Sequence, residues 1–278
     1  MMFGNAYKIA TVWGIPIKVH MSLIVVVGIL TLNAGWSGGP GAMLDRILIA
    51  IGLFTSVALH ELGHSFVAIR KGCKVREITL MFMGGAAQME RMPRRPMDEM
   101  LMALAGPAVS LGLGLLGFFG GRQLIRVGIS YPGFIIYILG WINFFLAGFN
   151  LLPSFPMDGG RVLRAALTPK IGRLRATFIA ARLGKIMAVL FGLYGFLAEQ
   201  RNWMLVAIAF FIYTAAGREY RVVQMEEAAK RGEGGPFWNP FAPPPEPGPP
   251  PGDADVVISP PPYAPNQREE HVEVDVER

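Results

Sequence analysis

Apolar residues in this chain come in long blocks separated by short basic stretches, not as one-sided stripes. Six such blocks cover residues 19–34, 43–69, 99–120, 131–152, 177–198 and 202–217. A helix needs ~20 apolar residues to cross the hydrocarbon of a bilayer, so each block predicts a membrane span. The first and last are the shortest, and segments of that length also occur as interfacial or re-entrant pieces. Trp13, Trp36 and Trp203 stand near block ends, where amphipathic rings meet the headgroups. Between the second and third blocks the period changes. Val75 to Leu80 alternates, Gly84-Gly85 follows, and a second run ends at Glu90, which predicts strand, turn and strand. Such a hairpin either offers an edge to an extended peptide or only covers the bundle. Ala103, Gly106, Ser110, Gly114 and Gly117 recur at three- and four-residue spacing in the third block, and this stripe is assigned to close helix packing in lipid. The expected fold class is an all-α membrane protein: a six-span helical bundle with a small cytoplasmic-side β-hairpin.

Composition agrees with lipid as the solvent. Hydrophobic residues make up 52% of the 278, charged residues only 17%, and the mean hydropathy is +0.40. A net charge of +6 raises nucleic acid as a partner, but the basic residues sit in loops between apolar blocks and read as topology determinants. Arg70, Lys71, Lys74, Arg76, Arg91, Arg94 and Arg95 follow the second block; Arg161, Arg164, Lys170, Arg173 and Arg175 follow the fourth. The alternate loops carry few, so both termini are expected in the cytoplasm. The domain layout is then a cytoplasmic segment 1–18, a membrane core 19–219 and a tail 220–278. The start of the chain shows no cleavable signal peptide, and the first block is expected to act as an uncleaved signal. Gly232 to Gln267 is rich in Pro and Gly, the composition of a disordered or polyproline segment. Its Pro260-Pro261-Pro262-Tyr263 resembles a polyproline-groove ligand, so a tail partner is one expectation. Cys73 is the single cysteine, which removes internal disulfides and cysteine-based zinc clusters.

The second block contains His60-Glu61-Leu62-Gly63-His64. Four residues along a helix turn the chain by about 400°, so both imidazoles project from one face and can reach one metal ion. Neutral imidazole suits Zn²⁺, and Glu61, one position on, is placed as general base to take the proton of a zinc-activated water. The competing reading is a water-lined polar cavity without metal. Three ionisable groups on one turn of a membrane helix cost about 2.5–3.5 kcal/mol each on insertion scales, a cost that a metal would offset. A third ligand is needed. Glu77, Glu90 and Glu99 do not fall on a helix that supplies one. The fourth block closes with Asn150-Leu151-Leu152-Pro153-Ser154-Phe155-Pro156-Met157-Asp158-Gly159-Gly160, where prolines end the helix and a carboxylate arrives at membrane depth. Asp158 is the candidate third ligand; alternatively it caps the helix that starts near Gly159.

These two motifs, in this order and each in a membrane block, resemble the site-2 protease family of intramembrane metalloproteases, in a compact form without PDZ or CBS domains. Gly84-Gly85-Ala86 and Ala105-Gly106-Pro107 also resemble that family's intervening segments, and the likeness covers about Gly14 to Glu219. It implies one zinc ion per chain held by His60, His64 and Asp158, with Glu61 as the base. It also implies a place for Asn150 near the scissile carbonyl, as an oxyanion donor, against the plainer role of a helix-end hydrogen bond. The implied function is zinc endopeptidase action on transmembrane or membrane-anchored proteins, with the substrate and the lipid bilayer as partners; one compact chain without a targeting peptide fits a prokaryotic cell membrane, and the loop placement of the basic residues argues for no nucleic acid. The alternative is a divalent-metal transporter using the same three ligands; a third is a membrane scaffold acting through its tail. His20 is expected to be an interfacial side chain.

Overall fold

The structure, a computed structural model, describes residues 6–82, 84–89, 93, 95–198 and 201–230. The chain divides into two units, Met1–Pro244 and Pro245–Arg278, and every described residue belongs to the first. The Pro-rich tail, its proposed partner motif and His271 lie outside the described residues.

Among the described residues ten elements follow one another: β1 (Ala6–Val12), β2 (Ile15–His20), α1 (Met21–Arg70), β3 (Val75–Met81), β4 (Gly84–Met89), α2 (Pro96–Arg126), α3 (Ser130–Asn150), α4 (Asp158–Ile171), α5 (Arg173–Leu197) and α6 (Trp203–Lys230). The first two apolar blocks form one element, α1, bent at Gly39 (φ 74°) just before Pro40. Positive φ and a missing N–H both interrupt the hydrogen-bond ladder there. Among the described residues, four helices are long and apolar enough to cross a membrane: Gly38–Arg70, Pro96–Arg126, Ser130–Asn150 and Arg173–Leu197. The arm Met21–Trp36 is shorter, and α6 turns charged beyond Gly217. Large side chains such as Leu116, Phe145, Leu197 and Phe210 face outward, as they do when the surroundings are lipid and not water.

The expected hairpin is part of something larger. β3 and β4 pair antiparallel from Met81↔Gly84 to Val75↔Met89, so Gly84-Gly85 opens β4 instead of forming the turn. β2 pairs parallel with β3, and β1 antiparallel with β2, giving a four-stranded sheet in the order β1-β2-β3-β4. Residues 6–20 thus supply two strands, joined by Trp13 (φ 51°) and Gly14 (φ 79°). Two successive positive φ values make the tight turn whose twist matches that of a hairpin. One face of the sheet buries Ile15, Ile17, Ile78 and Leu80 against Val57 and Leu62 of α1, which fixes the helix that carries the His-Glu-x-x-His run. His20 caps α1, accepting from Ser22 N at 3.1 Å.

Small residues set the spacing of α2 and α3. A Cβ on Gly117 would fall 2.7 Å from Gly140 Cα, so the two backbones touch, as the small-residue stripe predicts. Arg164 departs from its expected role. Read from sequence as a loop charge that sets topology, it is 1% exposed and donates from Nε to Glu99 Oε1 at 2.7 Å, with the Phe155 ring 4.9 Å from its guanidinium carbon. A buried ion pair of this kind ties α4 to α2 and is destabilising by about 3–5 kcal/mol when one partner is removed.

Candidate metal centre

The sheet and α2 hold the C-terminal arm of α1 from two sides, and His60 and His64 point from it toward α2. His64 Nδ1 lies 2.7 Å from the carbonyl oxygen of Met102. A carbonyl only accepts, so Nδ1 carries the proton and Nε2 presents its lone pair. His60 Nδ1 is 2.8 Å from Ser110 Oγ, which orients that ring the same way. Met102, Gly106 and Ser110 are spaced by four along α2 and share one face of it. The middle position is empty of side chain for a reason: a Cβ on Gly106 would fall 2.2 Å from His64 Nε2 and 2.7 Å from His60 Nε2.

The carboxylate arrives from the far side. α3 ends at Asn150, and the loop that follows is anchored by Phe155, fully buried, whose N–H donates to Ala180 O at 3.2 Å. α4 then starts so close to this loop that a Cβ on Gly159 would lie 2.3 Å from Leu152 O. Met157 occupies the N-cap position, with no side-chain cap bond. Asp158 is therefore not the cap; its Oδ2 sits 3.1 Å from both His60 Nε2 and His64 Nε2, which are themselves 3.1 Å apart.

Three donor atoms on a near-equilateral triangle of this size suit a tetrahedral ion. Ligand atoms held about 2.0–2.1 Å from one centre are roughly 3.3 Å apart, and a tetrahedron leaves its fourth corner open. His60, His64 and Asp158 can together hold one metal ion. Glu61 is half-buried and lies under β4, where a Cβ on Gly85 would fall 2.7 Å from its Cγ. Asn150 is in the plainer of its two expected settings, with Nδ2 donating to Leu146 O at 2.9 Å. Glu99, set aside as a ligand, is engaged by Arg164. Sequence reasoning passed over Ser110 and Met102, because a serine in a small-residue stripe looks like packing and a carbonyl leaves no trace in a sequence.

Ser110→Ala removes the acceptor that orients His60. Metal affinity is expected to fall by about 10–100-fold, the usual effect of losing such a partner, with helical content unchanged; competition against a chelating dye measures it.

Comparison with known proteins points one way. The model for "Peptidase family M50" matches residues 48–131 and 122–191. "Zinc metalloprotease MJ0392" of Methanocaldococcus jannaschii is 38% identical over 228 residues, 80% of this chain and 63% of that protein. "Putative zinc metalloprotease sll0528" of Synechocystis is 36% identical over 239 residues, 81% and 62% of the two chains. The solved "Site-2 Protease from Methanocaldococcus jannaschii" superposes with a TM-score of 0.59 at 34% identity, covering 78% of this chain and 95% of that one. The chain spans about three-fifths of the length of the curated relatives.

Proposed function

Since the chain belongs to peptidase family M50, the site-2 proteases, we propose that it is an intramembrane zinc endopeptidase hydrolysing peptide bonds of transmembrane or membrane-anchored proteins. The observation that carries this reading is the triangle of His60 Nε2, His64 Nε2 and Asp158 Oδ2, with both imidazoles turned by α2 so that their free nitrogens converge. Zinc held there supplies the Lewis acidity that makes water a competent nucleophile near neutral pH. Glu61 takes the proton of the attacking water at its carboxylate and returns it to the leaving amine. Asn150, at the end of α3, releases Leu146 O and donates Nδ2 to the developing oxyanion. β4 is an edge of the sheet and passes over Glu61 at Gly85; a substrate unwound into an extended strand adds to that edge and brings its scissile bond to the base. Helix-breaking residues in the substrate favour that unwinding.

The finer layout belongs to the same proposal. Six spans are reached by adding the arm Met21–Trp36 and the apolar part of α6 to the four long helices. The even count puts both termini on one side, the basic loops after the second and fourth blocks make that side the cytoplasm, and relatives in Methanocaldococcus jannaschii and Synechocystis favour a prokaryotic cell membrane. The transporter alternative gains nothing from the relatives, which are named as metalloproteases, and the grouped His and Asp ligands converge at a single site.

The test is metal content and cleavage by purified protein, using model transmembrane helices with and without a central Gly-Pro pair. We expect one zinc per chain, cleavage abolished by chelation and restored by zinc, and Asp158→Ala without stoichiometric zinc. Protein that binds zinc, cuts none of the helices and passes zinc across a liposome wall would overturn the reading.

A further inference from the structure

Away from the metal, a pocket of about 360 Å³ opens between the loop at Pro156, the start of α5 and one face of α6. Its lining is mixed: Pro156, Ala215, Val222 and Val223 are apolar, and Arg173 and Arg218 are cationic, with Arg218 between Ala215 and Val222 on one face of α6. Of the other charges in the wall, Glu226 is exposed at the rim and two are engaged. Arg164 is held by Glu99, and Glu219 turns its carboxylate toward α4, 3.7 Å from Arg164 and 3.8 Å from Arg161. Arg173 Nε is buried with no hydrogen-bond partner, and neither Arg173 nor Arg218 has a carboxylate partner among the described residues. A buried guanidinium N–H without an acceptor is unfavourable, and an anion seated in the pocket would supply one.

Position narrows the anion. Arg173 opens the apolar span Arg173–Leu197, so the pocket stands where the hydrocarbon of the bilayer gives way to headgroups. A phosphodiester attached to a glycerol and acyl chains matches this mixed lining, charge against the guanidiniums and carbon against the valines. We propose that this pocket seats the phosphate of an anionic phospholipid, with Arg173 and Arg218 as donors. The lipid then packs against Pro156, two residues from Asp158, and braces the loop that carries the carboxylate.

Native mass spectrometry of the full chain in detergent, titrated with phosphatidylglycerol or phosphatidylcholine, reads the site without any turnover, so its failure is separate from failure of the protease reading. The parent is expected to prefer phosphatidylglycerol. Each arginine near an anionic lipid surface is worth about a fivefold change in binding, so Arg173→Gln should lower the preference about fivefold and the double variant with Arg218→Gln roughly 30-fold. Arg175→Gln, the same charge loss outside the pocket, should leave it unchanged. Glu226→Gln, removing an exposed carboxylate from the rim, should raise it, and this variant leaves the buried structure untouched. Equal affinity of the parent for both lipids, or an Arg175→Gln loss as large as that of Arg173→Gln, overturns the site. Displacement of the lipid by inorganic phosphate at equal concentration overturns the lipid as its source.

Discussion

Glu61→Gln is expected to keep zinc at the parent's stoichiometry and to lose cleavage by about 10²–10⁴-fold, the range that a positioned general base contributes. The two halves of this outcome come from different parts of the site. The atoms that can hold the metal are His60 Nε2, His64 Nε2 and Asp158 Oδ2, and none of the hydrogen bonds that orient the histidines involves Glu61: they run to Ser110 and to the Met102 carbonyl. Gln is close to Glu in size, so the approach of Glu61 Cγ to Gly85 is preserved. What Gln lacks is a site to receive a proton. The measurement is paired: zinc by atomic absorption and cleavage of a model membrane substrate on the same preparation. Loss of both together would mean that Glu61 holds the metal site in shape. Retention of both would remove the base, and a transport reading of the ligands would then be the one to pursue.

The three residues that can hold a metal were legible because they obey short-range geometry. His60 and His64 are four apart on a helix, and the proline-broken end of the fourth block brings a carboxylate where a helix would not. The sheet was only half legible. Val75–Met81 and Gly84–Met89 are adjacent in sequence and pair locally, whereas β2 pairs with β3 across the whole of α1, and no pattern within residues 15–20 names so distant a partner. Ile15 and Ile17 alternate and are buried on one face, but a proline inside so short a run weakens a strand signal. It is tolerated because Pro16 faces Thr11 of β1, and pairing to β3 begins only at Ile17. Arg164 was misread for a related reason: its partner Glu99 is 65 positions away, and a lone arginine after an apolar block carries no mark of burial. The cradle on α2 was hidden in its own stripe. Gly117 does there what small residues do in lipid, touching Gly140, but Gly106 and Ser110 in the same register serve the histidines.

That double use gives Gly106→Ala its expected effect: loss of metal affinity of at least about 100-fold in a folded protein. The added Cβ would stand 2.2 Å from His64 Nε2, 2.5 Å from its Cε1 and 2.7 Å from His60 Nε2, and something must move. The rings have little freedom, because His64 is tied to Met102 and His60 to Ser110, one turn of α2 to either side of Gly106. Retreat of either ring breaks the bond that sets its tautomer, and retreat of α2 breaks both and pulls on Glu99, which is buried against Arg164. Every relaxation therefore opens the triangle of donors. Helix propensity works in the opposite direction, since Ala is the better helix former by about 1 kcal/mol, so a loss of zinc cannot be assigned to a weakened α2. Gly112→Ala supplies the control: it lies on the same helix with nothing within 4 Å of its Cβ position, and it should bind zinc as the parent does. Zinc affinity by dye competition, with circular dichroism on the same samples, separates the cases. A Gly106→Ala protein that binds zinc like the parent would show that α2 stands farther from the histidines than the packing around Gly106 requires.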